Sequence, residues 1–136
     1  MKKLLYLFIA SAILFSCESN DEDGSLSGGD PIIGKWQLTS IVENGNEIAT
    51  SCDKKSNATF SSNGTVVAVF YYESNSTNCE SESSSLSWEN LGNSNYKIFG
   101  NGDESTAKVN FTQNNTVMSS TTSDGSTTYI ETYKRE

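Results

Sequence analysis

From Pro31 to Glu136 no segment repeats its apolar residues at helical spacing. Short runs of β-branched and aromatic residues alternate instead with Asn, Gly, Asp and Ser. That pattern restricts the chain to an all-β fold. Eight runs have strand length: 33–43, 58–61, 65–73, 84–89, 95–99, 105–112, 116–121 and 127–134. In the first, Gly34, Trp36, Leu38, Ser40 and Val42 share a face by period two. The third is apolar on both faces, with Val66, Ala68, Phe70 and Tyr72 against Val67, Val69 and Tyr71. A strand of that kind is central or covers a cavity, and we take the Val67 face as inward. Asn63-Gly64 is a strong hairpin signal, because both residues tolerate positive φ. Gly100–Asp103, Gln113–Asn115 and Asp124-Gly125 supply further turns, whereas 90–94 departs from a tight turn. Eight strands at near-regular spacing predict an antiparallel up-and-down meander. Closure into a barrel removes both open edges, and eight is a natural number for it. An open sandwich is the competing arrangement.

Composition narrows the function classes. No histidine occurs, which removes the commonest general base and the commonest metal ligand together. Ser and Thr are abundant, but no base accompanies them as a triad would require. The expectation is a non-enzymatic protein with no cofactor and no metal. The acid pairs Asp103-Glu104 and Glu80/Glu82 fall in expected loops and read as solvated charge.

The first 17 residues differ from the rest. Lys2 and Lys3 precede an apolar run over 4–15, then Ser16 and Cys17. The run is shorter than the roughly 20 apolar residues a membrane-spanning helix needs, so 1–16 read as a signal peptide. Leu14-Phe15-Ser16-Cys17 resembles the lipobox of bacterial lipoproteins, although Phe15 is bulkier than usual at its place. The resemblance implies that Cys17 becomes the lipidated N-terminus. The competing reading is a plain secretory signal with a cysteine nearby. Three acyl chains, each contributing about 0.8 kcal/mol per buried CH₂, would hold the protein on a membrane permanently.

Residues 17–30 form an acidic, glycine-containing tether expected to be disordered. Acids just after the lipid cysteine resemble the signal that sends some Gram-negative lipoproteins to the cell surface; a merely solvated linker has the same composition. Without residues 1–16, seven basic and 17 acidic side chains remain, a formal charge of −10. Such a chain repels nucleic-acid phosphates and anionic headgroups, so no nucleic-acid partner is expected and membrane attachment must be covalent.

Gly34-Lys35-Trp36, opening the first strand after the tether, matches the Gly-x-Trp signature of lipocalin-like domains. Ala58–Thr65, Trp88 and the tail Glu131–Arg135 extend the likeness, so residues 31–136 resemble the small lipocalin-like lipoproteins of Gram-negative envelopes. The resemblance implies an eight-stranded barrel whose base is sealed by Trp36, with Gly34 permitting close approach. In larger lipocalins a basic residue packs over that tryptophan, and Arg135 is the candidate here. It also implies a monomeric outer-membrane lipoprotein, facing the periplasm or the exterior, with a small apolar ligand in the end opposite Trp36. Phe60, Val67, Val69, Tyr71, Leu86, Trp88, Ile98 and Val109 are the expected lining. The alternative is a filled barrel whose loops contact a protein or glycan.

With Cys17 assigned to lipid, Cys52 and Cys79 remain, flanking the second and third strands. A hairpin brings those flanks to one end of the sheet, which suits a disulfide in an oxidising compartment. Its loop of about 28 residues is worth about 3.5 kcal/mol in the chain-entropy account. A redox or metal pair is the alternative, without Cys-x-x-Cys spacing or histidine in its favour.

Overall fold

The computed structural model describes residues 29–74 and 78–136. The signal segment at 1–16, Cys17 and the tether up to residue 28 lie outside the described residues. The strands are β1 (Gly34–Glu43), β2 (Asn46–Glu47), β3 (Asn57–Phe60), β4 (Thr65–Ser74), β5 (Asn78–Gly92), β6 (Asn95–Gly100), β7 (Asp103–Thr112), β8 (Val117–Asp124) and β9 (Thr127–Arg135). A short 3-10 turn, Asp53–Lys55, precedes β3.

All neighbours are antiparallel, and β9 pairs back onto β1 from Trp36↔Arg135 to Glu43↔Tyr129. The eight strands other than β2 therefore close into a barrel, with no free edge between first and last. The short β2 lies outside the ring, in a hairpin with the end of β1. Its turn, Asn44-Gly45, has both residues at positive φ and is an Asn-Gly signal like the one read at 63–64.

Turn chemistry differs from expectation at two places. At Asn63-Gly64 only the glycine has positive φ. Asn63 acts through its side chain, whose Oδ1 accepts from Thr65 N at 3.0 Å and from Thr65 Oγ1 at 2.6 Å. The β5–β6 connection is tight after all. Asn93 and Ser94 both adopt positive φ, and a bulge between Asn90 and Gly92 leaves Leu91 exposed.

A second bulge changes which side chains face inward. Between Leu38 and Ser40 the β1–β9 register shifts by one residue. The single alternating face expected from Gly34 to Val42 therefore breaks at Thr39, and Ile41 enters the interior opposite Glu131. Thr39 Oγ1 donates to Thr132 O at 3.0 Å across the bulge.

β3 is only four residues long, so the far halves of β1 and β4 have no strand between them. Residues 49–56 fill that gap. Gln37 Nε2 donates to Ser56 O at 3.0 Å, and Tyr71 N donates to Ser56 Oγ at 2.8 Å. The Cys52–Cys79 disulfide fastens this segment to β5. Cys79 lies within β5 and not in a loop, because β5 runs six residues further toward the β4–β5 turn than its apolar pattern indicates.

Candidate functional site

The barrel has a sealed end and an open end. At the sealed end Trp36 is 0% exposed, and its Nε1 donates to Ile32 O at 2.7 Å. The guanidinium of Arg135 lies 4.2 Å from the indole centroid. It also donates to three carbonyls: Asn115 O at 2.9 Å, Ile33 O at 2.7 Å and Pro31 O at 2.6 Å. A Cβ at Gly34 would run into Arg135 Nη1, so this position admits only glycine without displacement. Above this plate the rings of Phe60, Trp88, Tyr96 and Phe111 meet edge-on or tilted at 6.0–6.2 Å between centroids. Asp30, at the end of the expected tether, is tied into the same base. Its carboxylate accepts from Tyr96 Oη at 2.8 Å, Asn90 Nδ2 at 2.6 Å and Ile32 N at 3.0 Å.

Between this base and the open end lies a cavity of about 400 Å³. Its depth is apolar: Ile32, Phe60, Val66, Leu86, Val109 and Met118. Higher up are Ile41, Ser105, Ser120, Thr122 and Glu131, and Asp53, Ser56, Asn57 and Tyr71 border it where β3 begins. Of the lining residues expected from sequence, Phe60, Tyr71, Leu86, Ile98 and Val109 border the cavity. Val67 and Val69 do not, and Val67 is 43% exposed. The inward face of β4 is the opposite one, Val66, Ala68 and Phe70. The continuous register Val66↔Leu86 and Ala68↔Ser84 places it on the same side as Leu86. Trp88 shares that side but sits below the cavity, where its Nε1 donates to Ser61 O at 3.0 Å.

Sequence reasoning missed the polar lining residues, Glu131 and Tyr133 among them. The tyrosine hydroxyl donates to Glu131 Oε2 at 2.7 Å. Period-two alternation down from Tyr129 through Arg135 would have placed both on the inner face. Burial, with the charge and hydrogen bond of Glu131 added, pushes the Tyr133 phenol well above its ordinary range. Burial also raises Tyr96, followed by its hydrogen bond to Asp30 and the charge of that residue.

Both folded-state values lie above the ordinary tyrosine value of 10. The unfolded chain therefore ionises first. The stability these phenols contribute is complete below pH 10 and is lost as pH climbs from 10 through the folded values. We expect the urea midpoint to hold up to about pH 10 and then fall. The alkaline part of that fall should shrink in a Tyr96→Phe/Tyr133→Phe double variant; an unchanged alkaline profile would discard these two residues as its source.

Among the described residues, no group of three or more Cys, Asp or Glu side chains is placed to hold a metal ion. Likewise no helix is long and apolar enough to cross a membrane. The site and fold together define a closed antiparallel β-barrel with one plugged end and one open apolar cavity. The sequence profile of the lipocalin-like domain matches residues 32–120, so the chain belongs to the lipocalin-like domain family. A search of the curated proteins finds no match.

Proposed function

We propose that this protein is a lipid-anchored binding protein of a Gram-negative outer membrane, non-enzymatic, whose barrel takes a small apolar molecule into its open end. The single observation that carries the binding reading is the cavity of about 400 Å³ above the aromatic base. Its size lies within the range of small-molecule sites, which are typically apolar with a few polar groups. A filled barrel acting only through its loops would lack such a space. Lipid attachment at Cys17 is supported by the order of basic residues, apolar run, small residue and cysteine.

The test uses residues 18–136, which hold every described strand and close the barrel on themselves. Titration with uncharged alkyl-linked fluorescent probes of several lengths should give saturable one-to-one binding, with energy transfer from Trp88 and Trp36. Ala68→Phe places a ring in the cavity from the inner face of β4 and should abolish that transfer while circular dichroism stays unchanged. No saturable binding at any chain length, with the protein folded, would overturn the reading. In cells, labelled palmitate should enter the wild-type protein and not a Cys17→Ser variant.

A further inference from the structure

The polar groups of the cavity are one-sided in charge. Two carboxylates border it, Glu131 and Asp53, while among the described residues no lysine or arginine does. The cations are placed elsewhere. Lys35 pairs with Glu136, Lys54 with Glu47 and Lys97 with Glu89 on the outside, and Arg135 is held in the base. An anionic headgroup in this space would be a desolvated charge with no partner, an unfavourable arrangement.

Glu131 has the setting of a receptor for the opposite charge. It stands on the inner face of β9, directly across from Ile41 on one side and Ser120 on the other. Tyr133 Oη donates to its Oε2 from below, and that phenol stays protonated through the physiological range. One donor fixes the carboxylate and leaves its remaining acceptor capacity for another. Beneath it the space is apolar down to Ile32 and Phe60, and above it the strands lead to solvent. The far part of β4–β5 repeats the same chemistry. Phe70 is opposite Glu82, and Tyr72 is opposite Glu80, so two exposed aromatic rings alternate with two acids on the strand face that continues from Val66 and Leu86. Aromatic faces and carboxylates both attract cations.

We propose that the ligand is an apolar molecule bearing a positively charged group, an amine or similar cation, which pairs with Glu131 while its apolar part fills the space above the aromatic base. The proposal rests on the reading of the cavity as a ligand site and names the class of ligand it selects.

The test uses residues 18–136 and three probes that share one dansyl group and one undecyl chain. They end in an ammonium, a carboxylate or an uncharged methyl. At 150 mM salt, where long-range surface attraction is largely screened, the ammonium probe should bind about tenfold more tightly than the carboxylate probe, as one charge-assisted hydrogen bond would give. Glu131→Gln should bring the two to within about threefold and leave the uncharged probe unaffected. Asp103→Asn, which removes the same unit of charge from the exposed outer end of β7, should leave the preference intact. Equal or tighter binding of the carboxylate probe overturns the proposal. So does an ammonium preference that survives Glu131→Gln. Failure of all three probes strikes the ligand-site reading itself, and binding of the uncharged probe by Glu131→Gln shows that this variant is folded.

Discussion

Trp36→Ala should lower stability by about 4 kcal/mol and the melting temperature by about 15–30 °C, the largest loss expected from a single side chain here. Three effects add at this residue. The indole is fully buried and lies 5.9 Å from Phe111, so its removal leaves a cavity in the base. Its N–H leaves Ile32 O, a carbonyl in the base, without that donor. The Arg135 guanidinium loses the ring face it rests on. A domain of this size has about 5–15 kcal/mol in hand, so the variant should be near its limit at room temperature. The comparison that gives the measurement meaning is Val66→Ala against Val67→Ala. Val66 is buried in the lining of the cavity and should lose about 2 kcal/mol, whereas exposed Val67 should lose less than about 1. If Trp36→Ala melts within a few degrees of wild type, the base is not the rigid end of the barrel.

The contrast between Val66 and Val67 also marks where sequence ran out. The number of barrel strands and their antiparallel order were legible because each run is bounded by turn residues, and closure was favoured over an open sandwich by the count of eight. Gly34, Trp36 and Arg135 were legible because the start and end of the chain's folded part resemble a known pattern. The inward face of β4 was not, because Val, Ala, Phe and Tyr alternate with Val, Val and Tyr. Hydrophobicity cannot choose between two apolar faces; only the partner strand can, through Leu86 opposite Val66. The bulge at Thr39 was invisible for a related reason. Ser40-Ile41-Val42 reads equally well in either register, and the choice is made by pairing with Glu131 and Thr132, about 90 residues away. Glu131 carries no inward signal of its own, since a carboxylate in an alternating pattern is ordinarily on the solvent side.

Arg135→Met should cost about 3 kcal/mol, although methionine keeps most of the apolar stem. The guanidinium is the common donor to three carbonyls from two separate stretches: Pro31 and Ile33 before β1, and Asn115 after β7. Asn115 belongs to Gln113–Asn115, three consecutive residues at positive φ, a strained turn whose carbonyl is aimed at Arg135. Each acceptor left without a donor in a partly buried setting costs about 1–3 kcal/mol, and water can replace some of the loss at the half-exposed rim. Arg135→Lys should recover only part of it. One ammonium cannot reproduce the planar fork that spans the three oxygens and lies over Trp36. The loss should also be local in a way that Trp36→Ala is not. Amide exchange should speed up at Ile33, Thr116 and Glu136, while amides in the middle of β4 and β5 keep most of their protection, because those strands pair with each other over ten residues. Equal acceleration throughout would mean that Arg135 supports the barrel as a whole. A loss below about 1 kcal/mol would mean that indole packing alone closes this end.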